Sequence, residues 1–241
     1  MCGRYVNARR DADLSRAFTI EDVRDPELEP SWNIAPTQNV RIVLERYKPG
    51  EERPEAVRQL RTARWGLVPT WAKDPKIGTR MINARSETIT DKPSFRTSAA
   101  KHRCIVPADG YYEWQKLDPA GKQKQPYYLH ALDEAPLAFA GLYAWWPDPE
   151  LPDDHPDKWQ WTSTILTTTA SDALGHVHDR SPVIVPPELI GDWLDPSITE
   201  KADVRALVEA MPEPHLIPRP VGKAVGSVRN NGPQLIEPVE D

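Results

Sequence analysis

The chain opens Met1-Cys2-Gly3-Arg4. Removal of Met1 would leave Cys2 with a free α-amine and a thiol on adjacent carbons, a 1,2-aminothiol that no other position in a protein offers. Such a pair reacts with an aldehyde in two steps. The amine condenses to an imine, and the thiol then adds to the same carbon and closes a five-membered thiazolidine. Both groups work near neutral pH, since an α-amine titrates at about 7.7–8.0 and a thiol at about 8.5. Gly3 leaves room beside the nucleophile. Arg4 sets a cation next to it, which can lower both pKa values or bind an anion such as phosphate. A cysteine at this position can equally be incidental, so the rest of the chain has to decide.

Three further segments concentrate reactive side chains inside apolar surroundings. In Met81–Glu87, Asn83 can orient an amine by accepting its proton, and Arg85 can clamp a phosphate. The competing reading is a turn with an exposed Arg85–Glu87 ion pair. In Ala108–Trp114, Glu113 stands between aromatics on an expected strand. A carboxyl in such a place has a raised pKa and serves as acid and base near neutrality, unless it simply points outward. In His176–Pro182, His178 is a candidate proton shuttle. His176 and His178 at i,i+2 suggest a metal site, but no third ligand cluster accompanies them, and Asp179 or Arg180 can equally tie the segment down. Among nine tryptophans, Trp71 follows Pro69 in a turn-like context and is the candidate platform for stacking a nucleobase.

These residues need a strand-rich scaffold. The 26 prolines against 12 glycines predict few long helices. Val40–Tyr47 and Arg58–Leu67 read as a hairpin around a polar loop. Arg103–Val106, Tyr111–Gln115, Pro126–Ala131, Leu137–Trp145, Trp161–Thr168 and Val183–Val185 read as further strands. Helices are expected over Arg10–Phe18, with Leu14 and Phe18 on one face, over Glu188–Leu194, and over Ile198–Met211 with Ser197 or Thr199 as cap. The fold class is α+β, with a mixed, mainly antiparallel sheet forming a distorted, partly closed barrel with peripheral helices. Residues 1–239 read as one domain. The acidic, proline-rich stretch 147–157 carries Asp148, Glu150, Asp153, Asp154 and Asp157 and reads as a loop inserted between two strands.

Composition narrows the class. The 241 residues suffice for a core without staples. A charged fraction of 27% and a mean hydropathy of -0.61 suit a soluble protein, and no apolar run reaches the ~20 residues of a membrane span. The start lacks the apolar segment of a secretory signal, so a cytoplasmic location is expected. Cys2 and Cys104, the two cysteines, make no disulfide framework. The absence of CxxC, HExxH and glycine-rich phosphate loops argues against zinc sites and nucleotide folds, so neither a metal nor a cofactor is expected. A net charge of -6 at pH 7 argues against a generic nucleic-acid coat but leaves room for a local basic cleft.

Together the segments resemble one family. Met1-Cys2-Gly3-Arg4, Trp32-Asn33-Ile34-Ala35-Pro36, Ile82–Glu87, Asp109–Trp114, His178–Val183 and Val225–Asn230 follow the order of motifs in the SRAP family, the SOS response-associated peptidases, understood as abasic-site processing proteins. The resemblance spans nearly the whole chain. It implies a mixed α/β fold around a distorted barrel and action on abasic sites in single-stranded DNA. The ring-opened abasic sugar is an aldehyde, the electrophile that an N-terminal aminothiol needs.

Carried over by motif, Cys2 is the covalent nucleophile through both amine and thiol. Asn83 holds the N-terminus, Glu113 promotes ring opening and proton transfers, and His178 assists at the sugar oxygen. Arg4 and Arg85 hold flanking phosphates, with Trp71 and Arg180 as further DNA contacts. Removal of Met1, by an aminopeptidase or by self-processing, comes first. Some abasic-site lyase activity is expected where ring closure is slow. The expected partner is single-stranded DNA with abasic sites, at the nucleoid or replication fork, and the chain is expected to be a monomer away from membranes. Ser181 departs from the family, many of whose members carry a larger residue there, which should alter packing beside His178. Two other readings stay open. One is an N-terminal-nucleophile cysteine peptidase or amidase, which predicts an acyl-enzyme. The other is a non-catalytic single-strand-binding module, which predicts salt-sensitive, lesion-independent affinity.

Overall fold

The computed structural model describes residues 2–47, 55–170 and 178–239. Its strands are β1 (Tyr5–Asn7), β2 (Asp22–Val23), β3 (Ser31–Ile34), β4 (Asn39–Tyr47), β5 (Ala56–Trp65), β6 (Asn83–Arg85), β7 (Arg103–Ala108), β8 (Gly110–Lys116), β9 (Lys124–Ala131), β10 (Leu137–Pro147), β11 (Trp159–Thr169), β12 (Arg180–Pro182) and β13 (Leu216–Pro220). α-Helices cover Asp11–Phe18, Arg96–Lys101, Ile190–Leu194 and Lys201–Glu209. The class is α+β, as expected. A five-stranded sheet runs β13-β9-β8-β1-β3, and an eight-stranded one holds the rest.

Part of the larger sheet closes on itself. β5, β4, β7, β10 and β11 are successive neighbours, and β11 returns to β5 through the parallel pairs Thr162↔Arg64 and Ser163↔Trp65. One seam is thin: β4 meets β7 at Val43↔Ile105. The barrel interior is marked by side chains that touch across it. Arg46 of β4 lies 4.6 Å above the Trp145 ring of β10, although β7 separates those strands. Barrel residues of one parity, such as Ile42, Trp65, Cys104, Phe139 and Ile165, form this inner core with Tyr5, Tyr111 and Leu129 of the smaller sheet. Residues of the other parity, such as Val43, Leu60, Ile105 and Leu166, pack under Leu14, Phe18, Trp193 and Val204 of the helices. Both faces of a barrel strand are thus covered, which is why Val40 to Leu44 of β4 are all buried, Arg41 among them. The buried Arg103 fastens the helical layer, donating to the carbonyls of Ala99, Trp193, Asp195 and Ile198.

Several expectations need correction. Val183–Val185 is not a strand. The ladder with β11 falls on Arg180–Pro182, through Thr167↔Pro182 and Thr169↔Arg180, and Ile184 makes only an isolated bridge to Phe139. The helix expected from Ile198 starts at Lys201, and its N-cap is Glu200, which makes no side-chain capping bond, in place of Ser197 or Thr199. Leu189 belongs to a 3-10 turn before the helix that carries Trp193. The β4–β5 hairpin is present, from Asn39↔Arg64 to Tyr47↔Ala56. Its polar loop lies mostly outside the described residues, as does His176. The acidic stretch joins β10 to β11, which pair in register out to Pro147↔Trp159.

Candidate active site

Cys2 is fully buried within the inner core, at the end of the barrel covered by the smaller sheet. Two strands carry the site's backbone. β1 pairs with β8 through Tyr5↔Tyr111 and Val6↔Gly110, and the Arg4 carbonyl accepts the Tyr112 N–H at 2.9 Å. This ladder lays the Cys2 segment along the strand that bears Glu113. Gly110 is required at its start, since a Cβ there would meet the Leu129 carbonyl oxygen at 2.5 Å. β6 pairs in parallel with β11, Asn83 opposite Ile165, and so Asn83 points to the inner face while Ala84 joins the outer core. Asn83 Nδ2 donates to the Cys2 carbonyl at 2.8 Å. Its Oδ1 is buried and accepts no hydrogen bond among the described residues. The Trp65 indole N–H donates to the Ile82 carbonyl at 2.8 Å, holding the residue before Asn83.

The electrostatics separate the titratable groups. Burial pushes the Cys2 thiol well above its usual range, and the neighbouring Glu113 carboxylate raises it further. Arg4 lowers it only through a backbone hydrogen bond, since its guanidinium is turned toward Asn33 and the Val225 carbonyl. Glu113 is only 4% exposed, and desolvation lifts its pKa from 4.5 to about 7. It therefore exchanges a proton readily at neutral pH. Burial holds the His178 imidazole below its ordinary 6.5, so it is neutral at pH 7, with Asp179 pulling the other way. Its Nδ1 lies 3.1 Å from the Arg180 amide nitrogen and 2.8 Å from Asp179 Oδ1. The neutral ring can accept from the amide, and the protonated ring can face the carboxylate.

The cations divide. Arg4 Nη1 donates to Asn33 Oδ1 at 2.8 Å and to the Val225 carbonyl at 2.9 Å, and Nη2 reaches the Gly226 carbonyl. Arg180 holds Glu87 with both terminal nitrogens and the Thr167 carbonyl with one. Both side chains are thus committed to the protein, whereas free phosphate ligands were expected. Glu87 pairs with Arg180 in place of Arg85. Arg85 is exposed, and its guanidinium makes no hydrogen bond among the described residues. Trp71 is 58% exposed on a loop whose neck is pinched where Gly66, at φ +133°, meets Gly78. The next residue, Ala72, accepts the Trp146 indole N–H at 2.7 Å, and Trp146 pairs with Gln160 of β11. Gln160 is five residues from Ile165, the partner of Asn83, or about 17 Å along the strand. Trp71 and the acidic stretch share that far end.

Sequence reasoning left Asn33 without a role. Its side chain is buried, accepts from Arg4, and donates to the carbonyls of Val225, Ser227 and Asn230. The Trp32–Pro36 and Val225–Asn230 motifs therefore meet at Arg4 and lock the start of the chain. No group of three or more potential metal-ligating side chains occurs among the described residues, and no helix there is long and apolar enough to cross a membrane.

Residues 1–228 match the family model of the SOS response associated peptidase (SRAP). The chain belongs to the SRAP family. It is 38% identical over 238 residues to the abasic site processing protein YoqW of Bacillus subtilis, covering 98% of this chain and 99% of that one. It is 31% identical over 245 residues to the abasic site processing protein YedK of Escherichia coli, covering 99% and 100%. A crystal structure of a protein from Bacteroides thetaiotaomicron matches with a TM-score of 0.79 at 23% identity, covering 99% of this chain and all of that one, which supports the fold.

Proposed function

We propose that this SRAP protein processes abasic sites in single-stranded DNA by forming a covalent adduct through Cys2. The observation that carries the reading is the clustering around buried Cys2 of Asn83, whose Nδ2 grips the Cys2 carbonyl, and Glu113, whose charge bears on the thiol and whose pKa is lifted to about 7. Removal of Met1 by hydrolysis of its peptide bond, by self-processing or by an aminopeptidase, frees the α-amine. Asn83 Oδ1 is the acceptor that orients this amine. The amine adds to the aldehyde carbon of the opened sugar. The carbinolamine takes a proton from Glu113, loses water and becomes an iminium. The thiol then returns a proton to the Glu113 carboxylate as its sulfur adds to the iminium carbon, and the thiazolidine closes.

Ring closure removes the imine, from which β-elimination would cut the strand. The adduct therefore protects the lesion, and residual lyase activity reflects slow closure. The neutral His178 imidazole serves as proton relay at the sugar oxygen. Arg85 is the foremost phosphate contact, with Trp71 reaching bases further along the strand. Arg4 and Arg180 act chiefly by holding the site's framework. The protein acts as a monomer wherever such DNA is exposed, at the nucleoid or replication fork.

Denaturing electrophoresis with an abasic oligonucleotide tests this. Wild-type protein should give a heat-resistant shifted band. Cys2→Ser should lose it while still giving an imine that borohydride traps. An undiminished stable adduct from Cys2→Ser overturns the mechanism. An acyl-enzyme with no DNA adduct favours an amidase, and lesion-independent, salt-sensitive binding alone favours a simple binding module.

A further inference from the structure

We infer that Glu87 is a positioning residue for the reaction, clamping the His178 segment to the Asn83 strand through Arg180; the inference rests on the reading of the site given above. Glu87 follows Asn83 by four residues, in the 3-10 turn Ser86–Thr88 that ends β6. Arg180 follows His178 by two. β6 and β12 do not pair with each other; both hang on β11, where Arg85 and Pro182 are partners of the same residue, Thr167. The clamp is what joins them by side chains. Glu87 Oε1 accepts from Arg180 Nη1 at 2.6 Å and Oε2 accepts from Nη2 at 3.0 Å, while Nη2 also reaches the Thr167 carbonyl at 2.6 Å.

This fork-to-fork geometry fixes the direction of the guanidinium as well as its distance. The far end of the clamp is the Arg180 amide, 3.1 Å from His178 Nδ1. A chain of contacts therefore runs from the strand that grips the Cys2 carbonyl to the imidazole beside the sugar. A shift of about 1 Å between two such groups is enough to slow a reaction by ~10²-fold. The pair is also suited to positioning rather than to global stability. Glu87 is 47% exposed while Arg180 is 15% exposed, and an ion pair at a surface contributes only about 0–1 kcal/mol.

The test is Glu87→Gln in the full chain, which keeps the shape and removes the charge. With abasic single-stranded DNA, the maximal rate of adduct formation should fall about tenfold. The half-saturating DNA concentration should stay within about twofold, and the thermal midpoint within a few degrees. An unchanged maximal rate overturns the inference. So does tighter half-saturation with no loss of rate, since it would mean that Glu87 only competes with phosphate for Arg180. A second readout does not depend on adduct chemistry. The imidazole nitrogen resonances of His178 should shift between wild type and Glu87→Gln. If wild-type protein forms no Cys2-dependent adduct, the functional reading fails. Unmoved His178 resonances would then separately refute the clamp.

Discussion

Replacing Glu113 with Gln tests the tuning of the pocket most directly. In the folded chain its carboxyl titrates at about 7 against an ordinary 4.5, because burial disfavours the anion. The folded state thus binds this proton more tightly than the unfolded state does. The stabilisation from the neutral acid is complete below about pH 4.5 and is lost as pH rises through about 7. The displacement from 4.5 to about 7 amounts to about 3 kcal/mol. Glutamine imitates the neutral acid at every pH. Urea denaturation at pH 5 should therefore find the two proteins within about 1 kcal/mol of each other. At pH 8 the variant should be more stable by about 3 kcal/mol. Its adduct formation should nonetheless be slower by ~10²-fold or more, the usual loss when an acid–base group is removed. Stabilities that run parallel between pH 5 and pH 8 would refute burial as the cause of the shift. A fully active Glu113→Gln would refute the proton-transfer role.

Three other substitutions separate binding, positioning and folding. Asn83→Ala strips the buried Cys2 carbonyl of its donor and should cost about 1–3 kcal/mol in denaturation, with a much larger proportional loss of adduct rate in single-turnover assays. Arg85→Ala should leave thermal stability unchanged, since its guanidinium bonds to nothing described. It should weaken single-strand binding and reduce the salt slope by about 0.7 in fluorescence titrations. Asn33→Ala leaves Arg4 and the carbonyls of Val225, Ser227 and Asn230 without their shared partner, and calorimetry should register a loss of about 2 kcal/mol or more.

The elements most legible in the sequence are the long barrel strands, of which β10 carries a nearly continuous apolar run from Leu137 to Trp146, and the helix that buries Leu14 and Phe18. Cys2 and Glu113 were legible for a chemical reason: an aminothiol precursor and an acid among aromatics name their own reactions. The short strands β1, β3 and β6 were not, since three or four residues hold too little alternation to register. A partly closed barrel was expected, but not the strands that close it, since closure depends on two parallel pairs between Arg64–Trp65 and Thr162–Ser163, about a hundred residues apart in the chain. The arginines show the limit most plainly. An arginine has five donors and no local preference for their acceptors. Only tertiary contact reveals that Arg4 serves the carbonyls of Val225 and Gly226 and that Arg180 serves Glu87.

Burial of the nucleophile also orders the proposed chemistry. A thiol raised by desolvation and by the Glu113 carboxylate is a poor nucleophile in the free protein, because only the thiolate attacks. The amine must therefore act first. Glu113 gives its proton to the carbinolamine as water leaves, and so becomes the carboxylate that can accept the thiol proton. The iminium that follows sets a positive charge beside the sulfur and favours the thiolate just as its target appears. Glu113 then takes the thiol proton and returns to its starting state. On this order, Cys2 in DNA-free protein should alkylate slowly with iodoacetamide, and Glu113→Gln, which lacks the opposing charge, should alkylate no more slowly than wild type at pH 8. Rapid alkylation of wild type would mean that the thiol is already activated and that the amine need not lead.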